Sequence, residues 1–126
     1  MKKKLIVLLF IGIILSGCST IVENSLETGN GSIELLTPMI TTKDNELAIK
    51  TEGIDENKVT FIYVANKKVL EQKINNGEPY KLNIKDIEHA HRTDYKPRVQ
   101  LLQTKDDNEN GDMVTFKQVR YTVEKE

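Results

Sequence analysis

The 126-residue chain has one cysteine, no tryptophan, two histidines and seven glycines. A single cysteine excludes an internal disulfide and a cysteine-rich zinc site. The glycines are scattered, so no glycine-rich loop exists to cradle a phosphate. Serine and threonine side chains are plentiful, but neither histidine stands in a nucleophile and base pattern with them, which points away from an enzyme. Charge of one sign is also missing: 18 basic and 19 acidic side chains give a formal charge of -1. No global field therefore draws the chain to nucleic acid. The length allows one domain, since a folded unit takes about 100 to 200 residues.

What is present begins with an uneven start. Lys2, Lys3 and Lys4 precede an uncharged apolar run over residues 5–15, the order of a secretory signal. The run is shorter than the roughly 20 apolar residues of a membrane span. It ends in Leu15-Ser16-Gly17-Cys18, which resembles the bacterial lipobox. That resemblance implies cleavage between Gly17 and Cys18 and a diacylglycerol on the Cys18 sulfur. Two acyl chains anchor stably where one binds only marginally, and lipidation disposes of a lone thiol that would otherwise be reactive outside the cell. The expected division is a signal peptide at 1–17, a lipidated N-terminus and flexible tether at 18–31, and a folded domain at 32–126. Removal of the signal leaves 15 basic against 19 acidic side chains, a formal -4.

After the tether the pattern alternates at a period of two and is rich in β-branched residues, with no sustained helical period. Residues 33–36 and 39–42 form a first strand broken at Pro38, which cannot donate to a ladder. Leu47, Ile49 and Thr51 share one face of a second. Residues 59–64 are apolar or β-branched on both faces, which predicts a central strand. Residues 69–74 follow, then a turn at Asn75-Asn76-Gly77. Tyr80, Leu82 and Ile84 share a face of the next strand. Residues 87–94 are non-periodic, with room for one helical turn, and alternation resumes at Tyr95. Residues 105–112 are a loop, and residues 113–123 a last strand whose apolar residues change parity, which predicts a bulge near Lys117 and Gln118.

About seven short strands in some 95 residues predict an all-β sandwich of immunoglobulin-like type. The run Tyr80-x-Leu82-x-Ile84-x-x-Ile87, then Tyr95-x-x-x-Val99-x-Leu101, then a hairpin at Gly111, resembles the E, F and G strands of fibronectin type III domains. The resemblance implies that Tyr95 closes the corner between strands E and F by a hydrogen bond to nearby backbone. Two features depart from it: the missing tryptophan, and Pro97 within a strand. A small OB-like barrel is the alternative fold.

Two clusters carry metal-ligand chemistry. Asp106, Asn108, Asn110, Gly111 and Asp112 match the first half of a calcium loop, with alternating oxygens and a glycine at the sharp turn. The twelfth position, where a bidentate glutamate belongs, is Lys117. His89 and His91, with Asp94, would share a face on an extended segment and could hold zinc. Both patterns are also those of solvated loops.

The expected function is that of a non-catalytic interaction module, lipid-anchored on the outer face of the cell membrane, with a protein partner in the envelope. No cofactor beyond the covalent lipid is expected, with calcium at the 106–112 loop as a further alternative. The lysine-rich start and the Asn and Lys content resemble those of low-GC Gram-positive bacteria. The chain is weakly similar to small lipoproteins of conjugative plasmid transfer regions. The octapeptide 10–17, from Phe10 to Gly17, resembles the mating pheromones cut from lipoprotein signal peptides, an alternative use for the discarded segment.

Overall fold

The computed structural model describes residues 27–126, which form nine strands and no helix. In chain order these are β1 (Ser32–Leu35), β2 (Met39–Thr41), β3 (Glu46–Glu52), β4 (Thr60–Val64), β5 (Lys67–Gln72), β6 (Tyr80–Asn83), β7 (Arg98–Thr104), β8 (Met113–Arg120) and β9 (Thr122–Glu124). Strands β1, β3 and β6 make one antiparallel sheet, and β5, β4, β7 and β8 make another in that order. A third, two-stranded sheet pairs β9 with β2 in parallel. The strands lie in three separate sheets, so the barrel alternative does not describe them.

Alternation places the core. In β3, Leu47, Ile49 and Thr51 are fully buried while Glu46 and Glu52 are exposed. Ile62 and Val64 of β4 and Val99 and Leu101 of β7 join the same hydrophobic cluster as Leu47, Ile49 and Leu82. Both large sheets therefore turn one face to a shared interior. Strand β4 lies between β5 and β7, as its two-sided apolar pattern predicts. Phe61 is 1% exposed yet stands outside that cluster, on the opposite face of its sheet.

Seven predicted strands become nine because the first and last each break and change partners. Leu36, Thr37 and Pro38 separate β1 from β2. The Thr37 hydroxyl accepts from Ala48 N at 3.0 Å, and the Pro38 carbonyl accepts from Thr122 N at 2.9 Å. Tyr121 likewise separates β8 from β9. The bulge expected near Lys117 and Gln118 is not there: pairing runs unbroken from Leu102 with Phe116 to Arg98 with Arg120, and the register shifts between Gln103 and Thr104. Thr115, Tyr121 and Val123 are buried on a single parity, so the parity change implied by Val114 and Phe116 reflects apolar residues on the outer face. Strand β7 begins at Arg98 rather than Tyr95. Pro97, with no N–H, sits just outside the ladder, and its carbonyl accepts from Tyr121 N at 3.1 Å.

Two connections also differ from expectation. Residues 87–90 make successive turns, with Ala90 N donating to the Ile87 carbonyl at 3.2 Å, and no helix. The segment 27–31, assigned to the tether, is fastened to β8 from Glu27 onward. Thr28 and Phe116 exchange backbone hydrogen bonds of 3.0 and 2.9 Å. Gln118 N donates to the Glu27 carboxylate at 3.0 Å, and the Lys117 ammonium donates to the Gly29 carbonyl at 2.8 Å. Gly29 has φ +84, and a Cβ there would lie 2.5 Å from the Val114 carbonyl oxygen, so only glycine permits this approach.

Candidate functional site

Gly17, Cys18 and the octapeptide 10–17 lie outside the described residues. The other sequence-derived candidates can be placed. In the 105–112 loop, Asp106 Oδ1 accepts from Asn108 N at 3.2 Å and Asn108 Oδ1 accepts from Asn110 N at 3.0 Å. These are local turns in which side-chain oxygens satisfy loop backbone. The Asp112 carbonyl accepts from Lys105 N at 2.8 Å and closes the loop. Among the described residues no three His, Cys, Asp or Glu side chains converge as a metal site would require.

The histidines diverge. His89 has φ 73, so the extended geometry that would give His89 and His91 a common face is absent. His91 Nε2 meets the Asp44 carbonyl at 2.7 Å, whereas His89 Nδ1 lies 3.2 Å from the Arg92 guanidinium. Asp94 is taken by Arg92 in a two-pronged pair, which holds its carboxyl below the usual carboxylate range.

Tyr121, rather than Tyr95, carries the buried hydroxyl that bonds to the backbone of the 84–97 connection. Tyr121 is fully buried, and its hydroxyl donates to the Ala90 carbonyl at 2.6 Å. Burial raises its pKa. Tyr95 is 47% exposed, with the Arg92 guanidinium 4.7 Å from its ring centroid. Both tyrosines flank the same loop, and the one that enters the core takes the bond.

On the outer face of the four-stranded sheet the 105–112 loop is fastened by a polar cluster. The Tyr63 hydroxyl donates to the Glu109 carboxylate. The Lys68 ammonium pairs with Glu109 at 2.9 Å and with Glu71 at 2.6 Å, and sits 5.7 Å from the Phe61 ring centroid. Burial, then Glu109, push the Tyr63 phenol up to about 12. The bonds from Tyr63 and Lys68 hold Glu109 below its ordinary range, and those to Glu71 and Glu109 raise Lys68. Each charge here has a partner, which makes this a clasp.

The open chemistry is at the other end of β7 and β8. A cleft of about 410 Å³ is lined by Ala65, Asn66, His89, Tyr95, Lys96, Pro97, Arg98 and Arg120. The positive φ of Ala65 (49) and Asn66 (71) makes the tight β4–β5 turn that forms one wall. Lys96 and Arg98 flank Pro97, and Arg120 is the cross-strand partner of Arg98. Arg120 Nη1 donates to the Lys96 carbonyl at 2.6 Å. The lining carries basic side chains and an aromatic ring, without a carboxylate, serine, threonine or cysteine. It can attract and hydrogen-bond an anion. A smaller cavity of about 300 Å³ includes Lys58, but that ammonium already donates to the Thr104 and Lys105 carbonyls.

The sequence did not single out this cleft. Lys96 and Arg98 are an unremarkable local pair, and Arg120 is brought to them only by the β7–β8 register. Like charges placed directly across a sheet oppose each other, and such an opposition is invisible until the register is known. Comparison with family models, with curated proteins and with solved structures finds no match to this chain.

Proposed function

We propose that the chain is the precursor of an extracytoplasmic lipoprotein, anchored through diacylglycerol on Cys18 to the outer face of the cell membrane, whose domain is a non-catalytic interaction module of the cell envelope. The single observation that carries the interaction reading is the cleft between the β4–β5 turn and the Arg98–Arg120 pair. It is concave and is lined by the basic side chains Lys96, Arg98 and Arg120 with the Tyr95 ring, a surface suited to contact with a partner. The lipobox and the signal before it support the anchor.

An immunoglobulin-like, fibronectin type III-like assignment is supported by strand order. Labelling β1, β3 and β6 as A, B and E, and β5, β4, β7 and β8 as C′, C, F and G, gives a two-sheet partition similar to that architecture without its strand D. The parallel pairing of β2 with β9 fits a first strand that crosses between sheets.

In-cell crosslinking of the mature protein followed by partner identification tests the interaction reading: a specific envelope partner supports it, and a crosslinking pattern no different from that of an unrelated lipoprotein refutes it. Cys18→Ser should release folded protein to the medium, whereas retention in the membrane would mean that the signal segment stays attached. Neighbouring genes for a coupling protein and a relaxase would place the module in conjugative transfer.

A further inference from the structure

Strand β6 ends the three-stranded sheet and β5 ends the four-stranded one. Both border a single groove of about 390 Å³, with Lys67 and Val69 on the β5 side and Asn83, Lys85 and Ile87 on the other. On the connection from β5 to β6, Ile74 is 1% exposed and closes the core. Val69 and Ile87 pack on the same core but stay half-buried, so the groove has an apolar floor.

The backbone of β6 is open along this groove. Ile84 N donates to the Asn45 carbonyl at 2.9 Å, and the register sets Leu82 opposite Leu47 and Tyr80 opposite Ile49. Residues that bond to the neighbouring strand alternate in an antiparallel ladder. Residues 80, 82 and 84 therefore face β3, while Lys81 and Asn83 aim their N–H and C=O groups at an edge with no strand beside it. Strand β8, by contrast, has its free edge covered by residues 27–29.

Charge selects what can pair there. Lys81, Asn83 and Lys85 share the exposed parity of this edge. Lys81 meets Glu46 at 3.9 Å with both side chains exposed, and neither Lys67 nor Lys85 has an ion pair among the described residues. Lys68 also lines the groove but is held by Glu71 and Glu109. Asp86 is the one carboxylate in the lining. Lysines along an edge oppose pairing with a like strand and favour one that brings carboxylates.

We propose that β6 takes up an extended acidic segment of a partner protein as an added strand. Its main chain bonds to Lys81 and Asn83, its acidic residues stand beside Lys81 and Lys85, and the alternate apolar residues turn toward Val69 and Ile87. In such an addition the main chain supplies affinity and the alternate side chains supply selectivity. The segment would lie where strand D stands in immunoglobulin domains. Neither Cys18 nor the Arg98–Arg120 cleft contributes to this surface.

The test titrates the full chain, purified in a zwitterionic detergent, with a fluorescent heptapeptide of alternating valine and glutamate. Anisotropy should rise saturably and the rise should weaken with added salt, and amide exchange should slow at Lys81 and Asn83. A valine and lysine heptapeptide should not bind. Lys85→Glu should weaken binding about fivefold or more, the scale of a lost exposed ion pair. Asn83→Pro removes an N–H that β3 does not use and should weaken binding about fivefold. Lys67→Glu supplies a further charge readout if the proline variant fails to fold, and Lys105→Glu, in the β7–β8 loop, should leave binding unchanged. Equal binding of the two peptides, no binding of either, or an equal loss from Lys105→Glu would overturn the proposal. Protection of Lys81 and Asn83 that grows with protein concentration in the absence of peptide would assign the edge to a second copy and overturn the acidic partner. Saturable binding that protects Arg98 in place of Lys81 and Asn83 would overturn this surface while leaving the interaction reading of the cleft intact.

Discussion

Replacing Tyr121 by phenylalanine removes one oxygen atom from the interior and leaves the ring in place. In the wild type that oxygen donates to the Ala90 carbonyl at 2.6 Å, and both residues are fully buried. The variant strands a carbonyl in the core, and an unmade buried hydrogen bond costs about 1 to 3 kcal/mol. Taking about 2 kcal/mol, and 4 to 8 °C per kcal/mol for a domain of this size, the midpoint should fall by about 8 to 16 °C. In urea the loss should appear as a lower midpoint with an unchanged slope. Tyr95→Phe is the comparison, because Tyr95 is 47% exposed and is held by the Arg92 contact to its ring. Its effect should stay within about 0.5 kcal/mol, as for other surface changes. Thermal and urea melts of the two variants decide the matter. If Tyr95→Phe costs as much as Tyr121→Phe, the buried bond has been assigned to the wrong tyrosine.

Alkaline titration offers a second check. Tyr63 and Tyr121 both have folded pKa values above the ordinary 10.0. The folded chain thus keeps protons that the unfolded chain loses, and stability should be full below pH 10 and fall as pH rises beyond it. A melt series flat to pH 12 would contradict this. Phenolate absorbance should place one tyrosine near the Tyr63 value of about 12, and Glu109→Gln should lower that value while speeding amide exchange across residues 105–112. An unmoved titration would mean that the clasp is absent in solution. Calcium at several millimolar, above the roughly 0.1 to 1 mM range of extracellular modules, should leave the amide resonances of 105–112 in place, and saturable shifts there would show that Asp106, Asn108, Asn110 and Asp112 do gather a cation. Gly29→Ala should cost about 1 to 3 kcal/mol through its positive φ and should raise amide exchange at Phe116 and Gln118. Unchanged exchange would refute the docking of 27–29.

The strands were largely legible because burial is written at a period of two. Leu47, Ile49 and Thr51 declare an inward face, and residues 60–64 declare a strand covered on both sides. Where a strand changes sheets was not legible, since Pro38 marks a break without naming the next partner. The bonded tyrosine was misplaced because Tyr121 reaches the 84–97 connection from the far end of β8, a contact that no local pattern around Tyr95 reveals. Only the packing of β8 and β9 decides that Tyr121 enters the core. The histidine pair failed as a site because its face-sharing assumed extended backbone, and His89 is left-handed. The cleft was hidden for a different reason: it is assembled from Lys96, Arg98 and Arg120 by strand register, and register is not a local property.

Strand β8 ends its sheet, and residues 27–29 occupy its open side. Were the chain held by lipid, as proposed above, copies diffusing in one plane would meet one another flank to flank, at concentrations no dilute solution reaches. An uncovered β8 would then present a row of unpaired amides and carbonyls to each neighbour, the condition under which strands template aggregation. Residues 27–29 therefore act as a guard rail, and cutting them away should turn a monodisperse domain into one that self-associates through that flank.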